Sequence, residues 1–375
     1  MNFLLSAGEA SGDNYGAQLI TALRQLAPGS EFFGMGGEKM LAAGFNAQVH
    51  ANEVAVVGLT EVITHLPAIR RRFRHLVAEA ARRRPDAAIL IDFPDFNLRL
   101  ARELHSLGIP VFYFVSPQLW AWRTGRVDQV RKYVRKMIVI FPFEQDFYRR
   151  HGVDVCYVGH PLAFLPLPQV SRAEFAAKYK LNPDKQWIAL LPGSRRKELR
   201  LNLPVMLEAL ELLRKSENDF EYLLPVASTL DKEWVQYQLG PAYTAIRLTE
   251  NSQASVMFSR AAVVASGTAT VESALTGTPF VVVYRLSPLT WLLGRRLVKL
   301  DTFAMPNLIA GRKIVPELIQ GGFTADAVVR ELRKILPEGP ARREMQDALA
   351  EVKHKLAVTE APALLAAGEV LKALR

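Results

Sequence analysis

The sequence predicts an α/β protein of two doubly wound domains, and three observations carry that prediction. A short apolar strand at 3–7 runs through Gly8-Glu9-Ala10-Ser11-Gly12-Asp13 into a helical pattern. A glycine-bearing turn between a first strand and a first helix is how a nucleotide-type α/β domain begins. The same kind of junction recurs in the other half, where the strand 187–191 leads through Leu191-Pro192-Gly193-Ser194-Arg195. Strand and helix patterns then alternate through both halves, which is the signature of parallel sheets covered by helices.

The elements follow in order. In the first half, strand 3–7 precedes helix 15–26, closed by Pro28-Gly29, and strand 31–35 precedes a short helix 38–43 stopped by Gly44. Residues 87–91 form a continuous apolar run, as a central strand covered on both faces requires. Helix 97–107, strand 111–115, helix 127–134, strand 136–140 and a last strand 156–158 complete this half. Three prolines within 162–168 mark a linker. The second half reads as strand 187–191, helix 198–215, strand 221–225, helix 252–259, strand 262–265, helix 270–275 and strand 280–284, with a helical tail from Ala325 onward. Domains of 1–165 and 166–345, with a tail of 346–375, are expected.

Composition narrows the class. A chain of 375 residues, half of them hydrophobic, can bury two cores. Its single cysteine excludes an internal disulfide and agrees with a reducing cytoplasm. Nothing before the first strand has the form of a signal peptide, so none is expected. The stretch 104–122 lacks Asp, Glu, Lys and Arg, but Gly108, Pro110 and Pro117 interrupt it. It reads as helix end, strand and loop rather than a membrane span. Lys and Arg total 47 against 37 Asp and Glu, a net charge of +10. That excess suits an anionic lipid surface or a phosphorylated substrate. Without an RNA-recognition signature, zinc-ligand spacing or basic tail, nucleic acid is not expected as a partner.

Four segments carry candidate chemistry. In Ala265-Ser266-Gly267-Thr268-Ala269-Thr270, small residues let a ligand approach the backbone as a helix opens, and free N–H groups there suit a diphosphate. Glu272, expected in that helix's first turn, is a candidate acceptor for ribose hydroxyls; the other reading is a capped helix with Glu272 favouring its dipole. Arg195, nearest the strand end in Ser194-Arg195-Arg196-Lys197, offers a planar donor fork to phosphate or uracil. Asp92 ends a buried strand, where α/β folds place ligand-contacting groups, and is the candidate general base. Asp95 is expected to be the N-cap of the helix beside it. Ser116-Pro117-Gln118-Leu119-Trp120-Ala121-Trp122-Arg123 reads either as an amphipathic rim or as ordinary loop packing. His160, in a Gly-His-Pro turn, is expected to be a packing or hinge residue. No Asp-x-Asp, His-x-His or cysteine cluster points to a catalytic metal.

Val62, Leu66, Ile69, Phe73 and Leu76 recur at helical spacing, flanked by arginine and histidine at 70, 71, 72, 74 and 75. Such a helix either lies on an anionic membrane or turns its apolar face to a core. Trp291-Leu292-Leu293-Gly294-Arg295-Arg296-Leu297 offers a second patch of that kind.

Taken in order, GEASGD (8–13), IDFPDFN (91–97), SPQLWAWR (116–123), FPFE (141–144), VGHPL (158–162), LPGSRRKE (191–198), ASGTATVESAL (265–275), VVVYR (281–285) and PNLIAGRKIVPELIQ (306–320) resemble the bacterial lipid-A-disaccharide synthase family over nearly the whole chain. The resemblance implies a GT-B fold, two Rossmann-like domains facing a central cleft. It implies an inverting transferase joining UDP-2,3-diacylglucosamine to 2,3-diacylglucosamine 1-phosphate, with release of UDP. It places acceptor and membrane at the first domain, donor at the second, and a tail that packs back on the first. It puts the catalytic aspartate at Asp92 and the UDP contacts at Arg195, Glu272 and Asn307, which join Gly267, Thr268, Ala269 and Thr270 of the helix opening in the expected donor site. Glu9, Ser11, Trp122 and Arg123 are the acceptor or cleft candidates. No cofactor or metal is implied, the UDP-sugar being a substrate. A peripheral location on the inner face of the inner membrane is implied, and so is a homodimer with exchanged C-terminal segments. The competing readings are a UDP-N-acetylglucosamine 2-epimerase, another GT-B transferase with a soluble acceptor, and a basic non-enzymatic scaffold.

Overall fold

The computed structural model describes residues 1–54, 59–122, 124–216, 219–286 and 302–375; the side chains of residues 59–65, 121, 122, 124, 242 and 243 fall outside that description. Arg123 and the patch 291–297 therefore lie outside the described residues, as do the side chains of Trp122 and Val62.

Two sheets, parallel throughout, account for the described strands. The first contains β1 (Asn2–Ala7), β2 (Glu31–Gly36), β3 (Asn46–His50), β4 (Ala87–Ile91), β5 (Val111–Phe114), β6 (Lys136–Val139) and β7 (Val155–Tyr157), in the order β3-β2-β1-β4-β5-β6-β7. The second contains β8 (Gln186–Leu191), β9 (Phe220–Pro225), β10 (Ile246–Thr249), β11 (Ala261–Ala265), β12 (Phe280–Tyr284) and β13 (Glu317–Ile319), in the order β10-β9-β8-β11-β12-β13. Each order reverses direction once, between β1 and β4 and between β8 and β11. The connections leaving that point run to opposite faces of the sheet and open a crevice at the carboxyl ends of the strands.

Side-chain alternation explains how the first sheet is covered on both sides. Leu4, Ala88, Leu90, Val111 and Tyr113 enter one core cluster, while Phe3, Leu5, Ala87, Ile89, Ile91, Phe112 and Phe114 enter another. Successive strand residues point to opposite faces, so continuous apolar strands supply two cores at once. The second cluster takes Leu19, Ile20 and Leu23 from helix Ala10–Leu26 and Ala363, Ala366, Ala367 and Val370 from helix Pro362–Leu374. Lys136 Nζ, at the start of β6, fastens that last helix through Glu369 at 2.8 Å.

The chain divides into two compact units, Met1–Phe164 with Leu356–Arg375, and Leu165–Lys355. The tail therefore changes unit later than the expected residue 346. Helix Pro340–Leu356 stays with the second unit because Leu349 and Val352 are buried there and the Arg342 guanidinium donates to the carbonyls of Arg260 and Ile335, both at 2.8 Å.

Helix Leu59–Arg83 resolves one alternative. Leu76 is fully buried, and Ile69 and Phe73 pack on the same core, with Phe73 edge-on to Phe96 at 5.3 Å. These three positions of the expected membrane face serve the protein interior instead. Leu66 remains exposed, as do Arg70, Arg71, Arg74 and His75. Among the described residues, no helix is long and apolar enough to cross a membrane.

Candidate active-site residues

In the first unit the β1–β4 crevice is built by tight packing of two turns. A Cβ at Gly8 would stand 2.4 Å from the Phe93 ring, so only glycine lets the β1 turn close on the β4 turn. Glu9 and Ser11 are exposed where helix Ala10–Leu26 opens, and no side chain caps its N-terminus. Asp13, at the end of the same motif, is committed elsewhere. Its carboxylate accepts from the backbone N–H groups of Gly37, Lys39 and Met40 at 2.7, 2.9 and 3.1 Å, fixing the neighbouring helix Glu38–Ala42.

Asp92 follows β4 directly and is partly exposed. Its φ of 46° and the 51° of Phe93 put two consecutive non-glycine residues in the left-handed region. Such a conformation costs about 1–3 kcal/mol per residue and persists only where surrounding structure enforces it. Burial pushes the Asp92 carboxyl up to about 6, aided by the nearby charge of Glu9 and opposed by the Phe93 backbone N–H. A carboxyl so placed can take a proton near neutral pH. Val115, directly after the adjacent strand β5, has a φ of 62°, so the strain gathers at the carboxyl ends of neighbouring strands.

Asp95 is not the N-cap. The helix starts at Pro94, Phe93 occupies the cap position, and Asp95 sits in the first turn, paired with Arg126 at 2.7 Å. In the loop after β5, Ser116 Oγ lies 2.8 Å from the Tyr148 hydroxyl, and Trp120 Nε1 donates to Glu144 at 3.2 Å. Glu144 is buried, and burial pushes its carboxyl up to about 8. His160 is buried against Phe141 at 4.9 Å, with Nδ1 accepting from the Leu162 N–H at 3.2 Å. Burial holds its pKa down at about 3, so it stays neutral, as a packing residue should.

In the second unit, three strand ends contribute. After β8, Gly193 has a φ of 125°, and Glu198 receives the Ser194 N–H at 3.1 Å. Arg195 meets Glu198 at 3.4 Å with its side chain 69 % exposed, leaving most of its donor fork open to an anion. Asn202, fully buried, ties this turn to the end of β12 by donating to Pro192 O at 2.8 Å and accepting from Arg285 N at 3.1 Å. Sequence reasoning missed that residue, since an asparagine within a helical pattern carries no mark of a contact so distant. After β11, Gly267 reaches a φ of 147°, and helix Thr268–Thr276 opens without a side-chain cap. Gly267 and Thr268 are exposed and Ala269 is partly so, whereas Thr270 is buried and turns its hydroxyl back to Gly267 O at 2.7 Å. The open end of a helix presents unpaired N–H groups and a positive partial charge.

Two residues expected to meet UDP have surroundings that the sequence did not show. Glu272 is the fifth residue of its helix rather than part of the first turn. Its carboxylate accepts from Ser252 Oγ at 3.0 Å, and burial raises its pKa. Asn307 is fully buried and saturated. Its Oδ1 accepts from Ile314 N at 2.7 Å and Val315 N at 2.9 Å, while Nδ2 donates to Val315 O at 3.0 Å and Glu317 Oε1 at 2.6 Å. An amide side chain has two donor hydrogens and two acceptor lone pairs, all used here. Asn307 braces the segment before β13 through these bonds. Among the described residues, no group of three or more His, Cys, Asp or Glu is gathered to hold a metal ion.

Comparison with known proteins gives this geometry its context. Over its full length the chain shares its fold with the glycotransferase of kitacinnamycin, at a TM-score of 0.65 and 14 % identity, covering 99 % of that chain. It also shares it with the UDP-GlcNAc 2-epimerase of Neisseria meningitidis bound to UDP-GlcNAc, at a TM-score of 0.59 and 13 % identity, again covering 99 % of that chain. Sequence likeness is far stronger elsewhere. The chain is 55 % identical to the lipid-A-disaccharide synthase of Koribacter versatilis (strain Ellin345) over 95 % of its own length and 93 % of that protein's. It is 44 % identical to that of Myxococcus xanthus (strain DK1622) over 99 % and 97 %. The sequence model of the lipid-A-disaccharide synthetase family matches residues 3–366. The chain belongs to the lipid-A-disaccharide synthetase family.

Proposed function

We propose that this chain transfers a 2,3-diacylglucosamine unit from its UDP donor to the 6-hydroxyl of 2,3-diacylglucosamine 1-phosphate, with inversion. The products are a β-1,6-linked tetraacyl disaccharide 1-phosphate and UDP. The observation that carries the reading is Asp92: a strained carboxyl at the strand switch point, raised to about 6 by burial and by Glu9. In this mechanism Asp92 accepts the proton of the 6-hydroxyl as that oxygen forms a bond to the donor's anomeric carbon. The bond from that carbon to the β-phosphate oxygen breaks, and its electron pair leaves with UDP. The open N-terminus at Gly267 to Ala269 and the exposed fork of Arg195 stabilise the departing diphosphate. Glu272 keeps one carboxylate oxygen, beyond that bonded to Ser252, for a ribose hydroxyl. Glu9 and Ser11, exposed beside Asp92's crevice, meet the acceptor.

Leu66 and the exposed cations of helix Leu59–Arg83 support peripheral binding to the anionic inner face of the inner membrane. A homodimer is part of the same proposal. The first test incubates both lipid substrates with the protein in detergent and EDTA and seeks the disaccharide by mass spectrometry. Product establishes the reaction and its independence of added metal together. Conversion of UDP-N-acetylglucosamine to an epimer without disaccharide would favour an epimerase instead. Replacing Asp92 by Asn is expected to abolish turnover while leaving UDP affinity within about twofold; parallel loss of both would remove Asp92 from the role of base.

A further inference from the structure

Two left-handed residues in succession need something to hold them, and the structure shows what does. Asn97, in helix Pro94–Ser106, is fully buried. Its Nδ2 points at three carbonyls, those of Ser6 and Ile91 at 3.2 Å and Asp92 at 2.8 Å, while its Oδ1 accepts the Ser6 hydroxyl at 2.7 Å. From the neighbouring strand β5, the fully buried Tyr113 donates its hydroxyl to the same Asp92 carbonyl at 2.6 Å. A carbonyl oxygen has two lone pairs, and this one spends both on side chains. The peptide that joins Asp92 to Phe93 is thereby fixed from β1, β4, β5 and the helix at once. Packing alone would be met by phenylalanine and leucine at these two positions, with no buried polar atoms to satisfy.

We infer that Asn97 and Tyr113 are positioning residues that hold the Asp92 carboxyl in the orientation from which it accepts the proton of the incoming hydroxyl. The inference rests on Asp92 acting as the base. The charged and titratable groups that face this region are Glu9 from the turn after β1, the Asp95–Arg126 pair, and Tyr148 from helix Pro142–Arg150. All of them remain in the variants below.

The experiment compares Tyr113→Phe and Asn97→Ser with Asp92→Asn, each assayed below its melting temperature across pH 4.5 to 9. Tyr113→Phe removes one oxygen and keeps the ring in the core. The expected result is kcat lowered roughly ten- to a hundredfold, the loss that misplacing a reacting group brings. KM for the donor and UDP affinity should stay within about twofold, since both residues belong to the first unit and the proposed donor contacts to the second. The acid limb of the profile should move to lower pH as the freed carboxyl reaches water. If Asp92→Asn keeps turnover, or keeps the acid limb, the base reading itself is lost. If Asp92→Asn is inactive while both clamp variants keep the parent kcat and limb, the positioning role is overturned and the base reading stands. A fall in kcat without movement of the limb, or failure of both variants to fold, makes the pair a structural brace and overturns it equally.

Discussion

Asp92 must be ionised to accept a proton, so turnover is expected to rise with pH through about 6 and to fall away below it. A kcat/KM profile on saturating detergent checks the position of that limb. The same burial has a stability signature. The folded pKa lies above the unfolded value of 3.8, so stability falls as pH rises from 3.8 to about 6 and is level thereafter. Asp92→Asn is therefore expected to melt above the parent at pH 8, by up to about 3 kcal/mol less what water at the exposed edge screens, and to match it near pH 4. The place of Asp92 at the end of β4 was legible because the apolar run before it marks a buried strand that the carboxylate must end. Asn97 stood in the same motif, but its meaning lies in Ser6, 91 residues away, and no local pattern records that. Asn307 is known from the resemblance alone, because the backbone groups of Ile314 and Val315 that its side chain holds leave no mark on the local sequence.

At the scale of elements, central strands were read well and edges poorly. β4 and β11 are buried along their whole length, and their apolar runs say so. β3, with the sequence Asn-Ala-Gln-Val-His, and β10 lie at sheet edges, where polar residues face water and the pattern dissolves. The helix Thr268–Thr276 offers a direct test of the donor site. A Cβ at Gly267 meets no atom within 4 Å, so Gly267→Ala strains only the backbone. It is expected to cost about 1–3 kcal/mol in the transition and to weaken UDP binding, read by urea denaturation and calorimetry. Glu144 offers another test, through Trp120 and the loop it anchors. Its folded value of about 8 lies above the ordinary 4.5, so stability should decline from pH 4.5 to 8. In Glu144→Gln that slope should flatten, and urea midpoints at pH 5, 6.5 and 8 would reveal it.

Across the whole molecule, two α/β sheets follow from repeated strand–turn–helix junctions, whereas the point at which the tail changes unit did not. Helices Ala325–Ile335, Pro340–Leu356 and Pro362–Leu374 are all amphipathic or apolar, and amphipathicity does not name the core a helix serves. Removing residues 357–375 is expected to uncover Leu19, Ile20 and Leu23 and to drive the protein into aggregates, measured by soluble yield and dye binding, while Lys136→Ala should leave it soluble. The placement of that final helix also sets a timetable for synthesis. As the chain leaves the ribosome from its amino end, the first unit emerges early yet lacks the piece that closes its core. The second unit is completed in the interval, from one unbroken stretch of chain. Until helix Pro362–Leu374 is made, the earlier half must wait with an oily face uncovered, a natural station for a chaperone.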